Sequence, residues 1–273
     1  GAEVASADYL LFLNNDTVHE PDWIEPLVST LEENHNIAAV QPKILNYFEK
    51  ELFDYAGGSG GHMDILCFPF LRGRLFMTRE KDSGQYNDVT DIFWASGTAF
   101  LVRKSVFEEV GGFDETFFAH QEEIDLQWRM HLAGLDVAVD PASVVYHRNA
   151  VTLAMHSPQK KYLNHRNSLL MMLSNYSLPM AIYLFPIRLI LEFIAALYAM
   201  ALFDFGHVGA IFKSLFWILI HPHVIHKRRK RTGSLRRLKD RDILSKFYRG
   251  SVVLDYYILR KRRYSDLMPS PSR

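Results

Sequence analysis

The feature that most constrains the fold is a long apolar stretch directly followed by positive charge. Residues 178–220 are the most apolar part of the chain: 189–203 reads LILEFIAALYAMALF, and a second apolar run covers 208–220. Each run falls short of the roughly 20 apolar residues that cross a bilayer comfortably. We therefore expect two helices joined by a tight turn at 204–206. This hairpin either dips into one leaflet, lies along the membrane interface, or forms a pair of buried core helices.

The net charge of zero conceals two oppositely charged parts. Residues 221–273 contain 16 Lys and Arg against 4 Asp and Glu, so this tail carries +12 and the remaining residues carry −12. The basic cluster 227–231 follows the apolar zone at once, which favours a cytoplasmic membrane face and an anionic membrane surface as partner. The alternative is a solvated basic helix. No interleaved stacking aromatics support a nucleic-acid partner.

An apolar strand near the N-terminus ends in three polar residues. The run 8–13, DYLLFL, is typical of a strand inside a parallel sheet, and Asn14, Asn15 and Asp16 follow it. Ligands of open α/β sheets bind beyond such strand ends. A carboxylate there can hold a divalent cation that neutralises a diphosphate. The alternative is a turn rich in Asn and Asp.

Two further motifs carry titratable groups. Glu122, Glu123 and Asp125 open a predicted helix, where crowded carboxylates raise one another's pKa and suit a general base; the alternative is a solvated acidic helix start. Arg129, four residues beyond Asp125, is expected to pair with it. His147 follows the predicted strand 144–146 and is either a metal ligand or a core histidine.

The segments between these motifs predict an alternating α/β order. We expect a helix after 20–23, a strand at 37–40, a helix at 106–110 capped by Ser105, and short strands at 137–139 and 144–146. Residues 46–90 read as a long irregular loop, which is a candidate acceptor loop; its Arg72, Arg74 and Arg79 could meet phosphates or solvent. The single cysteine, Cys67, excludes an intrachain disulfide and a cysteine-rich zinc site.

In chain order these motifs resemble the family 2 glycosyltransferases of the GT-A type. That class is inverting and uses nucleotide sugars, and it includes bacterial rhamnosyltransferases of cell-surface polysaccharide synthesis. The matching stretches are ADYLLFLNNDT (7–17), ASGTAFLVRKSVFEEVGGFDETFF (95–118), EEIDLQWR (122–129) and VVYHRNAVT (144–152). The resemblance implies an α/β fold with a Rossmann-like mixed sheet flanked by helices, followed by the apolar helical hairpin and a basic helical tail.

The family normally begins with a strand and loop that bind the nucleotide base. We expect the GT-A sheet to be incomplete at its N-terminus, with roughly 80 residues missing and an exposed sheet edge. This fragment alone is then expected to be inactive. The domain division that we expect is a partial catalytic domain at 1–165, membrane-associated helices at 166–225 and a basic tail at 226–273. Lys160, Lys161, Tyr162, Arg166 and Asn167 match a pattern common after the catalytic domain, and we place them on a helix at the cleft or membrane face.

The resemblance also implies roles for individual residues. The family's metal-binding Asp-x-Asp falls on Asn14-Asn15-Asp16, which leaves Asp16 as the ligand to Mg²⁺ or Mn²⁺, with His147 as a second metal ligand. The catalytic base falls on Glu123, with Glu122 as the alternative. The implied donor-binding residues are Asn14, Asn15, Asp16 and Gly97, the last because a small residue there lets the backbone approach a sugar.

The implied reaction transfers a sugar from a UDP-, dTDP- or GDP-linked donor to a hydroxyl of a lipid-linked or oligosaccharide acceptor, with inversion. The implied location is the cytoplasmic face of the inner (plasma) membrane, peripheral or monotopic, with the tail on its anionic surface. Asn at position 14 and Glu at position 123 depart from the family pattern. They motivate an alternative, a non-catalytic glycosyltransferase-like scaffold in a polysaccharide-assembly complex. A processive synthase is disfavoured because it needs several long transmembrane spans.

Overall fold

A computed structural model describes residues 1–148 and 157–268 of the chain. The end of the stretch 144–152, from residue 149 on, and residues 269–273 of the basic tail lie outside the described residues. The strands are β1 Tyr9–Leu13, β2 Thr17–His19, β3 Ile37–Asn46, β4 Gly61–Met63, β5 Pro69–Leu71, β6 Arg74–Leu75, β7 Thr78–Arg79, β8 Thr90–Ile92, β9 Ala99–Arg103 and β10 Asp136–His147. The helices are α1 Glu25–Glu33, α2 Lys104–Glu109, α3 Glu122–Leu132, α4 Pro158–Asn175, α5 Leu178–Ala201, α6 Phe205–Ile220, α7 Pro222–Leu235, α8 Asp240–Ile243, α9 Val252–Tyr257 and α10 Tyr264–Leu267.

A mixed six-stranded sheet forms the centre of the N-terminal half, as the α/β prediction requires. Its order is β1-β9-β3-β10-β2, and β8 pairs with the other end of β10. Only β3 and β10 run parallel; the remaining pairs are antiparallel. All ten residues of β3 are buried, which places this strand at the middle of the core. The predicted strands at 137–139 and 144–146 are one strand, β10, with a register shift between Asp140 and Val144.

The first strand departs from its predicted place. The continuous apolar run of β1 predicts an interior strand of a parallel sheet, but β1 is an edge strand that pairs antiparallel with β9. One face packs against α2, where Phe12 lies 5.3 Å from the Phe107 ring. The other face is covered only in part: Tyr9 packs beside α1 residues, whereas Leu11 and Leu13 are exposed. An apolar run on both faces therefore does not by itself show that a strand has neighbours on both sides within the sheet. Within the described residues no strand pairs with the outer edge of β1.

Helices cover both faces of the sheet. Leu27 and Leu31 of α1 pack with Val40 on one face, as the helical spacing after 20–23 predicts. The other face carries α2 and α3. The prediction that Ser105 caps α2 is wrong, because the helix begins at Lys104, two residues before its predicted start, and Arg103 is its N-cap residue, without a side-chain cap.

Residues 46–90 contain more regular structure than predicted. The strands β4 to β7 form a second, four-stranded antiparallel sheet. Each of its strands has only two or three residues, too few for an alternating pattern to be recognised in the sequence. The arginines of this segment are committed to partners: Arg72 pairs with Asp88, Arg79 pairs with Glu49, and Arg74 lies 4.0 Å over the ring of Tyr55.

The predicted apolar hairpin is present as α5 and α6. The helix α5 has 24 residues and is longer than its apolar run, because it begins at Leu178 and continues through Pro186. By length and composition it is able to cross a membrane. The next helix, α7, follows α6 at a bend of 72°. The expected domain boundary at 165/166 falls inside α4, and the division into three parts stays a prediction.

Candidate active site

The loop after β1 and the turn before β9 are joined at one place. The backbone N–H of Asn14 donates to the carbonyl of Thr98 over 2.9 Å, and the next residue toward the N-terminus, Gly97, faces Glu123. A Cβ atom built on Gly97 would lie 3.8 Å from Glu123 Oε1. Position 97 therefore has room for a methyl group against the protein itself. The structure thus brings together three predicted positions, Asn14, Gly97 and Glu123.

Two buried glutamines hold the turn 95–98 in place. Gln127 of α3 donates to the carbonyl of Ala95 over 2.8 Å, and Gln41 of β3 accepts from the N–H of Ser96 over 2.8 Å. Side-chain amides thus provide the partners that a neighbouring strand would otherwise supply. These two residues were missed at the sequence level. The available signal was a glutamine inside the otherwise apolar strand and another within a buried helix.

Glu123 is a half-buried side chain whose carboxyl oxygen Oε2 is inaccessible to solvent, and it has an unusual proton affinity. Burial, and next the charge of Glu122, raise its pKa to about 8, against the opposing effect of backbone N–H groups that include the one of Gly97. Burial also raises the pKa of Glu122. A carboxyl group with a pKa close to neutral is suited to accept a proton from a substrate hydroxyl.

Four consecutive residues have polar atoms without partners: the last two before α3 and the first two of α3. Within the described part of the chain, His120 Nε2, Gln121 Oε1, Glu122 Oε2 and Glu123 Oε2 are buried and have no hydrogen-bond partner. The backbone is strained at the same place, with φ of 64° at Phe118, 67° at His120 and 68° at Gln121. Buried polar atoms without partners are costly, and strained non-glycine residues cluster at ligand sites. This segment therefore has the properties of a binding site.

The predicted Arg166 and Asn167 support that strained segment from α4. The Arg166 guanidinium donates to the carbonyls of Thr116 and Phe117, each over 2.8 Å. Asn167 Nδ2 donates to the carbonyls of Ala119 and His120, over 2.9 and 2.6 Å. Both side chains are buried. Arg166 and Asn167 thus lie on a helix beside the strained segment and hold its backbone in place.

Asp16 and His147 meet at the end of β10, and a third residue completes the group. His147 Nε2 lies 3.3 Å from Asp16 Oδ1, and His147 Nδ1 lies 2.9 Å from Asp54 Oδ1. Burial alone would lower the pKa of His147, but the hydrogen bond and charge of Asp54, with the charge of Asp16, raise it. Asp54 is fully buried and was missed at the sequence level, because it lies 93 residues from His147.

The chemistry of these donors fits a divalent metal ion. If Nδ1–H donates to Asp54, the lone pair on Nε2 points toward the Asp16 carboxylate, and two acceptors face each other over 3.3 Å. A proton or a cation between them removes that repulsion. A carboxylate behind a metal-binding histidine is a frequent arrangement. Among the described residues no group of three or more His, Cys, Asp or Glu could hold a metal, so Mg²⁺ or Mn²⁺ here would need ligands from substrate phosphates, as Mg²⁺ commonly has.

The remaining predicted residues have the following places. Asn14 and Asn15 are exposed in the turn between β1 and β2, where the Asn14 carbonyl accepts from Thr17 Oγ1 over 2.8 Å. The two interpretations of residues 14–16, a turn rich in Asn and Asp and a binding site, are thus compatible. The expected pairing of Arg129 with Asp125 is confirmed, over 3.0 Å. Asp125 is buried and pairs with Arg129 and Arg228. These charges lower its pKa, so Asp125 is not suited to act as an acid or base.

The sequence of residues 1–185 matches the family described as glycosyltransferase-like family 2. Among curated relatives, the O-antigen biosynthesis protein RfbC of Myxococcus xanthus is 30% identical over 175 residues, which are 59% of this chain and 12% of that protein. The rhamnosyltransferase WbbL of Escherichia coli K12 is 31% identical over 143 residues, 52% of this chain and 53% of that protein. The N-acetylglucosaminyl-diphospho-decaprenol L-rhamnosyltransferase of Mycobacterium tuberculosis is 39% identical over 89 residues, 32% of this chain and 29% of that protein.

The matched part thus spans about half or less of the length of each of these relatives. A solved structure described as GalNAc-T7 with UDP, GalNAc and Mn²⁺ superimposes with a TM-score of 0.46 and 17% identity, covering 63% of this chain and 33% of that one. The family match alone covers well over half of the residues, and the strand, turn and helix that it includes carry the site described above. The chain belongs to the glycosyltransferase-like family 2.

Proposed function

We propose that the protein transfers a sugar from a nucleoside-diphosphate sugar to a hydroxyl of a saccharide acceptor, with inversion and with Mg²⁺ or Mn²⁺ as cofactor. The observation that carries the proposal is the position of Glu123. This carboxyl group, with a pKa of about 8, faces Gly97 in the turn that also binds the loop leading to Asp16. The proposed base, Glu123, thus lies beside the turn 95–98. The same turn is hydrogen-bonded to the loop that carries the proposed metal ligand Asp16.

In the proposed mechanism Glu123 accepts the proton of the acceptor hydroxyl. The hydroxyl oxygen forms a bond to the anomeric carbon while the bond from that carbon to the diphosphate oxygen breaks. The nucleoside diphosphate leaves from the opposite face, so the anomeric configuration inverts. Asp16 and His147 would hold the metal ion, which supplies positive charge for the diphosphate leaving group. Asn14, Asn15 and Gly97 line the donor side, and Glu122 is the alternative base.

The names of the relatives narrow the substrates that we propose. Two of them are named rhamnosyltransferases, and the name of one states a diphospho-decaprenol-linked acceptor. We extend this to a UDP-, dTDP- or GDP-linked hexose or deoxyhexose as donor and a lipid-linked saccharide as acceptor. The proposed location is the cytoplasmic face of the plasma membrane. The parts 1–165, 166–225 and 226–273 would serve catalysis, membrane association and attachment to anionic lipid, respectively.

The test is a donor screen that measures release of nucleoside diphosphate. It uses the protein with any upstream residues of its natural chain, a lipid extract as acceptor, and Mn²⁺ or Mg²⁺. We expect turnover with one donor, loss of turnover in Asp16→Ala and in Glu123→Gln, and loss after chelation of the metal. Glu33→Gln, an exposed carboxylate at the end of α1, is the control and should retain full activity.

Silence with every donor would overturn the enzymatic proposal if the protein is folded. That result would favour the non-catalytic scaffold in a polysaccharide-assembly complex. Product analysis by NMR checks the stereochemistry separately. Retention of the anomeric configuration would contradict the single displacement, even if the protein proved to be a transferase.

A further inference from the structure

The hairpin of α5 and α6 has an outer face that no described part of the protein covers. Only 33% of the most apolar window of α5 is buried. The exposed apolar side chains include Ile187, Ile190, Ile194 and Leu197 on α5 and Phe212 and Phe216 on α6. A continuous apolar surface of this kind marks an interaction site.

The inner face of α5 is attached to the catalytic domain at the middle of the helix. Arg188 is buried, with its guanidinium 3.7 Å from the centre of the Phe68 ring and its Nη1 donating to Ser168 Oγ over 2.9 Å. It also bonds to Glu192 one turn further on, over 2.9 Å. The flanking Leu184 and Leu191 belong to the same core cluster as Trp128 of the catalytic helix α3.

We infer that the hairpin inserts its outer face into one leaflet of the membrane, with α5 lying along the interface and not crossing the bilayer. A helix of 24 residues is about 36 Å long, sufficient to span the hydrocarbon core of about 30 Å. The attachments of its central turns forbid that orientation. The inference rests on the proposed membrane location and specifies its geometry.

The cost of the alternative orientation follows from the residues that pack on α5. If α5 spanned the bilayer, Arg188 and Glu192 would lie near its midplane, and α4 and the segment around Phe68 would have to accompany them. The helix α4 carries Lys161 and His165 close to this contact; the carboxylate of Glu192 lies 2.6 Å from His165. Polar and charged groups of this number are not tolerated in hydrocarbon. Lying along the interface leaves them on the water side.

The charges of α7 indicate that the surface is an anionic leaflet and not another protein. Its basic side chains lie on different faces of the helix: Arg228 is buried, whereas Lys227 and Lys230 are exposed. Within the described residues these two lysines have neither an ion pair nor a hydrogen bond. They lie on α7, seven and ten residues after the exposed Ile220 at the end of α6. Lysines beside an inserted apolar surface lie at the level of lipid phosphates.

Cysteine labelling tests the orientation. The only cysteine, Cys67, is buried and is replaced by Ala. Leu202→Cys then places a thiol in the turn between α5 and α6, and Ser83→Cys places the control thiol on the catalytic domain. Without vesicles, a membrane-impermeant maleimide should label both thiols. With vesicles present and the maleimide in the external solution, it should label only Ser83→Cys. Labelling of Leu202→Cys by maleimide enclosed within the vesicles would show that the hairpin spans, and would overturn the inference.

Flotation with vesicles that contain anionic phospholipid tests the surface itself. Ile194 and Leu197 are 52% and 65% exposed, so Ile194→Glu and Leu197→Glu should leave the fold unchanged and weaken binding about tenfold or more each. Val89→Glu is the matched control, since Val89 is 56% exposed on the catalytic domain. Lys227→Ala and Lys230→Ala should weaken binding to anionic vesicles about fivefold each and leave binding to neutral ones unchanged.

Two results would contradict the proposal. Equal flotation of Leu197→Glu and Val89→Glu would remove the hairpin face from membrane binding. Protection of Leu202→Cys without vesicles, increasing with protein concentration, would assign the face to a second copy of the chain. Neither measurement requires turnover, so a failed insertion and a failed transferase activity are separate outcomes.

Discussion

At the scale of single residues, we expect the protonation of Glu123 to affect both the proposed activity and the stability. Its pKa is raised from 4.5 to about 8 by burial and by Glu122. A raised folded-state pKa means that the protonated form is favoured in the folded protein. The stability that this protonation contributes is fully present below pH 4.5 and is lost as the pH rises through about 8.

We therefore expect opposite pH dependences for activity and stability. The value of kcat/KM should rise with pH and level off above about 8, because the base must be ionised to accept a proton. Glu123→Gln should abolish turnover and, relative to the wild type, gain stability between pH 5 and pH 9 in urea unfolding. Glu33→Gln should show neither effect. A kcat/KM that is flat from pH 6 to pH 9 would exclude Glu123 as the base.

The role of Asp54 can be tested through the metal. Its carboxylate accepts a hydrogen bond from His147 Nδ1 over 2.9 Å and thereby leaves the Nε2 lone pair available to a metal ion beside Asp16. Asp54→Asn should weaken Mn²⁺ binding about 10- to 100-fold, measured by electron paramagnetic resonance with nucleoside diphosphate present. Glu51→Gln, an exposed carboxylate in the same segment, is the control. Unchanged Mn²⁺ affinity in Asp54→Asn would show that Asp54 has only a structural role.

The residues predicted from the sequence are those within short motifs, and the others have distant partners. Asp16, Glu123 and His147 could be proposed from the sequence because each follows a recognisable strand or opens a helix. Asp54 and Gln41 were not found, since their partners are 93 and 55 residues away. Such pairs depend on the order of the strands in the sheet, and the sequence of one strand does not indicate which strands lie beside it.

At the scale of elements, α4 controls the geometry of the loop that precedes the catalytic helix. Asn167 donates to the carbonyls of Ala119 and His120, next to the left-handed residues Phe118, His120 and Gln121. A loop with three such residues keeps its conformation only when its surroundings enforce it. We therefore expect α4 to influence the proposed catalysis through its hydrogen bonds to the backbone of this loop.

Asn167→Ala should separate this role from metal binding. We expect the free energy of unfolding to fall by about 1–3 kcal/mol, because carbonyls of the loop lose a buried donor. The value of kcat should fall while Mn²⁺ affinity stays unchanged, because Asp16 and His147 are held by other elements. Lys160→Ala on the same helix, whose side chain is not buried, is the control. A parallel loss of Mn²⁺ affinity would indicate general disruption.

Helices and strands were predictable where the apolar pattern continues over many residues. The helices α1 and α3 and the strand β3 follow their patterns. The second sheet, β4 to β7, did not emerge from the sequence, because its strands have two or three residues. The edge position of β1 was missed for a different reason: its residues contact helices on both faces and resemble an interior strand.

At the scale of the whole molecule, the acidic body and the basic tail are packed against each other. Arg228 of α7 donates to Asp114 and Asp125, each over 2.5 Å. Arg237 pairs with Glu109 over 2.8 Å, and Lys246 pairs with Asp136. The charge separation along the sequence thus serves partly to join the C-terminal helices to the N-terminal half, while exposed basic residues such as Lys227 and Lys230 remain for another surface.

Removing the central contact should be costly. Arg228→Ala leaves Asp125 buried with one arginine fewer, and we expect a loss of about 3–5 kcal/mol in the free energy of unfolding. Lys230→Ala, two residues away and exposed, should change it by less than about 0.5 kcal/mol. Urea unfolding followed by circular dichroism measures both. Equal stability of the two variants would show that the tail is not needed for the catalytic half.

The contact between Arg228 and Asp125 has a consequence for the order of events during synthesis. The two residues are 103 positions apart, so the helix with the proposed base leaves the ribosome long before its partner. Until then the nascent catalytic half holds a buried carboxylate without one of its two arginines. We therefore expect the final packing of this half to wait until α7 has been synthesised, after the apolar hairpin of α5 and α6.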